Sequence, residues 1–389
     1  MTHKVAPPED RLHVAIVIPC LNEEQTLADT CASLGFGLGN SSYSTGNLLF
    51  LVDNGSTDST VDVAHRIKSA SKDDSVFIGH APQRGFVPAR HFGNQMVEEV
   101  VRSMNWDLQD VLILQVDADT HYTPGYVTSM QCAAEKCGPG VMIEACVTYP
   151  PTFKSEYSDY IQICDDIDSE FLHLFPRDIT DDDLVDDKVS GYRLSDYFDW
   201  GGHRREYTTS GEEIHSETAR LYMRARATDA RRERVESAQA FHSPRRILED
   251  PALHLAAAGF PREGTWNAQW RQMYTGPMNL RDLCSQPQHP EVLKAIRMRE
   301  QHILALLGVL PMHVDRALNV VSSVATNDFA HVVLAWLPER VKNDLIDHPG
   351  VFLTDVFELI HKRGDALIAE ARESAPRKNP RDPIIPSGS

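Results

Sequence analysis

Residues 111–120 read VLILQVDADT, an apolar run that ends in two carboxylates, Asp117 and Asp119. A continuous branched run of this length predicts a strand buried on both faces, as in a parallel sheet. Ligands of open α/β sheets gather at the carboxyl ends of such strands. Two acids one residue apart at that edge can hold a hard divalent cation through oxygen, and the cation can bridge a diphosphate. Asp is also common just after strands as a turn former or helix N-cap, so the pair alone leaves both readings open.

The elements upstream narrow the choice. His13 to Cys20 (HVAIVIPC) predicts a strand, and Asn22-Glu23-Glu24 opens a helix through Leu27 and Leu34. Leu48 to Val52 is a second strand, ending in DNGSTD (53–58), from which a helix runs through Val61, Ala64 and Ile67. Ser75 to Ile78 gives a third strand, Pro88 to Val101 a helix, and Val111 to Val116 the fourth strand. Alternation of this kind implies right-handed crossovers and a parallel sheet, a nucleotide-binding type of α/β domain. GFGLG (35–39) is not a dinucleotide fingerprint, because it follows a helix rather than a strand.

VIPCLNEE (17–24), VDNGSTD (52–58), Gly85 through Arg90 and DAD (117–119), in that order, resemble the motifs of family 2 glycosyltransferases of the GT-A fold. The resemblance is close over about the first 150 residues and looser to about Arg246. It implies a Rossmann-like, mostly parallel central sheet flanked by helices, with a C-terminal helical appendage beyond. The chain divides accordingly into a tail (1–11), a nucleotide-sugar-binding half (12–150), an acceptor-binding half (151–276), a helical region (277–373) and a disordered tail (374–389).

By that resemblance, Pro19, Asn22 and Glu23 contact the base and ribose of the donor, and Asp53 accepts from a base imide N–H. Glu23 reads equally as a helix-start acid, and Asp53 as an Asx-turn before Gly55. Asp58 reads as a helix-start residue. Gly85 lets backbone approach the donor, and Arg84 or Arg90 answers diphosphate charge, with Arg90 favoured. His91 departs from the family, which usually has Asn there. Asp117 and Ala118 touch the donor, and Asp117 and Asp119 hold Mn²⁺ or Mg²⁺. His242, in AFHSPRR (240–246), resembles the His that adds a further ligand in several such enzymes, and mixed Asp and imidazole ligation favours Mn²⁺. A lone His is also commonly a polar or capping residue. Arg245 and Arg246 are further phosphate candidates.

SGEEI (210–214) stands where relatives have a Gly-Glu-Asp-like motif at a helix start. Glu213 is the candidate base, with Glu212 the neighbouring alternative, because inverting sugar transfer needs a carboxylate to take the acceptor proton. Two acids capping a helix would look the same. The acid-rich stretch 165–187 reads as a solvated face or loop, or as a mobile lid. Segments 291–310, 314–325, 331–342 and 351–371 read as helices that buttress the catalytic part or pair subunits into a homodimer, the alternative being a direct role in acceptor selection.

Composition excludes other classes. With 38 basic against 56 acidic residues the net charge is −18, which argues against a nucleic-acid partner. Seven Cys without a Cys-x-x-Cys pair suggest reduced thiols and a cytoplasmic setting. No apolar stretch is long enough to span a bilayer, which favours a soluble acceptor. The reading is a metal-dependent transferase moving a sugar from a UDP- or GDP-type donor to an acceptor hydroxyl, with inversion. A retaining enzyme resembling glucosyl-3-phosphoglycerate or mannosylglycerate synthase is the alternative, and a non-catalytic binding protein on the same scaffold is the third reading.

Overall fold

A computed structural model describes residues 11–37, 46–71, 74–172, 183–258, 270, 272, 278–320 and 328–374. Among them an eight-stranded sheet runs in the order β3-β2-β1-β4-β7-β6-β8-β5. Its strands are β1 (His13–Cys20), β2 (Leu48–Asp53), β3 (Val76–His80), β4 (Val111–Gln115), β5 (His121–Tyr122), β6 (Val141–Thr148), β7 (Ser190–Arg193) and β8 (Arg231–Phe241). β3, β2, β1 and β4 are mutually parallel, as the alternation of elements predicts. Beyond β4 the sheet is mixed, because β7 lies antiparallel to both β4 and β6 while β8 lies parallel to β6.

Residue alternation within each apolar run assigns the two faces. Val14, Ile16, Ile18, Leu49, Leu51, Leu112 and Leu114 pack on one face with α1 (Leu27–Ser33), α2 (Thr60–Ala70) and α4 (Tyr126–Cys137). Ala15, Val17, Phe50, Val52 and Ile113 face the other side, covered by Val97 and Val101 of α3 (Phe86–Ser103) and by Tyr192 and Tyr197. α3 can lie this close because residue 93 is Gly. A Cβ there would sit 2.4 Å from a Val17 methyl carbon and 3.1 Å from one of Val52.

The helix expected from Asn22 starts only at Leu27. Asn22 takes a left-handed backbone conformation (φ 57°), and its N–H donates to Ser56 Oγ at 3.1 Å. The amides of Glu23 and Glu24 donate to Thr60 Oγ1 and Asp58 Oδ2, so this stretch folds across the β2 loop instead of coiling on itself. The acid-rich stretch is not simply a solvated face. Asp183 is buried against Arg226 at 2.6 Å, and Asp168 pairs with Arg299. Asp181 and Asp182 lie outside the described residues, as do 1–10 and 375–389 of the two terminal tails, while Arg11 bonds Gln131 and Ser374 ends the last helix.

The C-terminal expectations hold in kind but not in boundaries. Pro290–Ile303 continues through a wider π-type stretch (Leu304–Val309) into Leu310–Leu318, the wide turn standing before Pro311, which cannot donate to it. The helix expected over 331–342 is two, Asp328–Leu334 and Lys342–Asp347, and residues 321–325 lie outside the described set. Gly350–Ser374 bends at Arg363. These helices share a core with Ile214, Met223 and Ala227 of the sheet domain. Among the described residues, no helix is long and apolar enough to cross a membrane.

The close α3 packing gives a test. Gly93→Val should overpack the Val17–Val52 contact and lower unfolding free energy by about 1–3 kcal/mol, read from urea midpoints.

Candidate active site

Asp117 and Asp119 stand just beyond β4, on a turn in which Thr120 N–H donates to the Asp117 carbonyl and Thr30 Oγ1 donates to the Ala118 carbonyl. The Asp117 N–H donates to Tyr122 Oη at 3.3 Å, and that hydroxyl in turn donates to the Lys188 carbonyl at 2.7 Å. The turn is thus braced from β5 and from the segment before β7.

Arg90, buried on α3, organises the surroundings. Its Nη2 donates to Asp117 Oδ1 at 2.6 Å, its Nη1 to Gln115 Oε1 at 3.1 Å and its Nε to Glu217 Oε1 at 3.0 Å. All three guanidinium nitrogens are committed to the protein, so Arg90 positions Asp117 in this structure rather than presenting a fork for phosphate. Gln115 extends the network through its amide to Asn94 and Tyr192. Arg245 is an exposed cation here, donating to Glu23 Oε1 at 3.2 Å and to Asp119 Oδ2 at 3.4 Å, with the exposed Arg246 also near Asp119.

Burial, then the charges of Asp117 and Glu23, push the Asp119 carboxyl above the ordinary carboxylate range, and Arg245 only partly relieves this. A divalent cation fits a site with such an excess of carboxylate. Asp117 and Asp119 supply oxygen donors, and burial together with the Lys188 ammonium holds the His242 imidazole down to about 4, neutral at physiological pH. His242, however, packs against the Tyr149 ring, with Lys188 and Asp186 as its charged neighbours. Among the described residues no three His, Cys, Asp or Glu side chains are gathered as a metal cage. Water and diphosphate oxygens would complete the coordination of a cation held by the two aspartates.

The nucleotide-side candidates line the adjoining strand ends. Pro19 pairs in register with Val52 and precedes the Asn22 turn. Asn22 Oδ1 accepts from Thr57 N–H at 2.8 Å. Asp53 is an Asx-type turn, accepting from the amides of Gly55 and Ser56 and lying 3.3 Å from His80 Nδ1. Burial works against its charge, but the bonds from Ser56, His80 and Gly55 hold its pKa below the usual value. Gly85 sits at φ 135°, open to glycine, and its N–H donates to Asn54 Oδ1.

Glu213 is not at a helix start. It lies in a β-bridge with Tyr207, and Arg205 forks it with Nε and Nη2 at 2.9 and 2.6 Å. The helix α5 (Glu217–Arg226) begins after a left-handed Ser216, and it is Glu217 that reaches Arg90. Glu212 turns from Glu213 toward a separate cleft. Sequence reasoning missed Glu217, Asp187 and Lys188. Asp187 accepts from the Thr218 N–H at the α5 N-terminus, a carboxylate favoured by helix-end geometry. Desolvation and the charge of Glu217 nevertheless push Asp187 up to about 7, against the pull of Arg90. Lys188 Nζ lies 2.6 Å from Asp186.

Residues 15–182 match the family profile described as Glycosyl transferase family 2. The matched segment, rather less than half of the chain, is thus similar to a family 2 glycosyltransferase domain. The matched segment contains most of β1, all of β2 to β4, the Asp pair and Arg90. Among solved structures the chain is similar to the mannosyltransferase PcManGT from Pyrobaculum calidifontis, in complex with GDP-Man and Mn²⁺, at 13% identity over 94% of this chain and 87% of that one, TM-score 0.44. It is also similar to S. aureus TarS 1–349 in complex with UDP-GlcNAc (12% identity, 93% and 88% coverage, TM-score 0.42). GalNAc-T7 with UDP, GalNAc and Mn²⁺ matches at 12% identity over 60% of this chain and 44% of its own, TM-score 0.40, so the chain spans less than half of that protein. No curated protein matches the sequence.

Asp187 gives a pH test. Its folded pKa of about 7 lies above that of an unfolded carboxylate, so this group costs stability as pH rises through that interval. Asp187→Asn removes the cost, and its urea midpoint should gain on wild type between about pH 5 and about pH 8, with the difference smallest at the acid end.

Proposed function

We propose that the glycosyltransferase moves a sugar from a nucleoside diphosphate donor, UDP- or GDP-linked, to the hydroxyl of a small soluble acceptor, with inversion. The observation that carries this is the placement of Asp117 and Asp119 at the carboxyl end of β4, inside the family 2 segment, where carboxylate charge is in excess. Asp117 and Asp119 would hold Mn²⁺ or Mg²⁺, with His242 a third candidate ligand, and the cation would supply charge neutralisation for the leaving diphosphate.

The protein's own groups carry the other tasks. Asn22, Glu23 and Asp53 line the strand ends assigned to the base and ribose. Gly85 leaves room for backbone to approach the donor, and Arg90 fixes the Asp117 rotamer. Arg245, already shared between Glu23 and Asp119, is placed to turn toward a phosphate. Glu213 takes the proton as the acceptor oxygen bonds to the anomeric carbon and the bond to the diphosphate breaks. For that, Arg205, itself one-third exposed, must release one Glu213 oxygen. The same fork favours the retaining alternative, in which no external base is required.

Asp117→Ala should lower transfer kcat/KM by about 100-fold or more in an assay with Mn²⁺ and a panel of UDP- and GDP-sugars. Glu213→Gln should lower kcat by at least about 100-fold if Glu213 is the base. NMR of the product anomer separates the outcomes: inversion with a dead Glu213→Gln supports the proposal, whereas retention with an active Glu213→Gln overturns the mechanism. Failure of the wild type to transfer or hydrolyse any donor overturns the enzymatic reading.

A further inference from the structure

The loop that carries Glu213 has a second side. Residues 207–213 close a tight turn, in which Thr208 N–H donates to the Glu212 carbonyl at 2.8 Å and Gly211 N–H to the Thr208 carbonyl at 2.9 Å. Thr208 Oγ1 also accepts from Glu212 N–H at 3.1 Å. Neighbouring side chains on an extended segment point opposite ways, so Glu213 meets Arg205 while Glu212 faces a cleft of about 900 Å³. That volume falls in the range of small-molecule sites, about 300–1,000 Å³.

One wall of the cleft is the loop, with Thr208, Ser210 and Glu212. The facing wall comes from the C-terminal helices and includes Gln301, Phe357 and His361. Gly364 sets the depth at the helix bend, since a Cβ there would meet the Gln301 amide at 2.5 Å. The charges are matched locally: Lys362 pairs with Glu358 at 2.5 Å, Asp365 with Arg297 at 2.8 Å, and Arg363 lies over the Trp336 ring at 5.1 Å. Three carboxylates, those of Glu212, Glu358 and Asp365, line the cleft against the two cations of Lys362 and Arg363. Such a lining disfavours phosphate. Hydroxyl, amide and carboxylate groups set beside a half-buried aromatic ring suit a ligand with many hydroxyls and an apolar C–H face.

We propose that this cleft binds an uncharged saccharide, the acceptor, and that the C-terminal helices therefore take part in acceptor selection. The inference rests on the transferase reading for the word acceptor, but saccharide binding itself does not. The cleft wall and the candidate base are one residue apart on opposite faces of one loop, so a saccharide seated against Glu212 bears from behind on the loop that presents Glu213.

The test is saturation-transfer NMR on the full chain, without donor or metal, with maltose, cellobiose, mannobiose and glucose 6-phosphate as probes. Two variants accompany wild type: Phe357→Ala, and Thr209→Arg, which blocks the mouth from an exposed loop position without opening the core. At least one neutral disaccharide should bind wild type, and both variants should weaken it by about tenfold, with glucose 6-phosphate weaker than its neutral counterparts. No signal from any neutral disaccharide, equal binding in Thr209→Arg, or preference for the phosphosugar overturns the proposal. Because the readout uses neither donor nor turnover, a chain that binds saccharide yet never transfers sinks the proposed function alone. A chain that transfers with no saccharide in the cleft sinks only this inference.

Discussion

The site depends on one buried guanidinium. Arg90 draws together the end of β4 through Asp117 and Gln115 and the start of α5 through Glu217, groups that lie far apart in sequence. A buried carboxylate (Glu217), a buried amide (Gln115) and the partly exposed Asp117 are brought beside one another because a permanently charged planar fork satisfies each of them. The geometry of the first aspartate of the pair is thus set by a side chain that reaches it from α3. Bracing from Tyr122 and the Lys188 carbonyl adds a second fixed support from the opposite side.

This arrangement explains a division of labour among the charges. Cations enclosed by protein, such as Arg90, maintain shape, whereas the half-exposed Arg245 shares its bonds between Glu23 and Asp119 at longer range. Short, buried, multiply bonded pairs are costly to rearrange, while long exposed ones exchange readily with an arriving ligand. The residue best placed to respond to a phosphate is therefore the one least well held.

The sequence was most informative where single-strand burial wrote itself into composition. The apolar runs of β1, β2 and β4 announce strands covered on both faces, and the acids at their ends follow directly. β8 was illegible because RRERVESAQAF exposes most of its side chains and carries no buried run. β7 is only four residues long. Asp187 and Glu217 escaped notice for a different reason. Their burial is possible only beside Arg90, 127 positions from Glu217, and no local pattern reports a partner at that distance. The acidic stretch looked solvated because its counter-charges, Arg226, Arg299 and Lys188, lie in other segments or after it. The Glu213 assignment assumed a helix start that lies four residues later, after the left-handed Ser216.

Glu206 has a wider consequence. It accepts from Arg220 and from the N–H of Gly350, the first residue of the long C-terminal helix, while Ile214 and Met223 lie in the same apolar cluster as that helix. A fragment ending near residue 277 would leave Glu206 without the Gly350 N–H and a greasy surface facing water. Catalytic and helical parts are thus one cooperative unit, and evolution could trade the appendage for another only by rebuilding this seam.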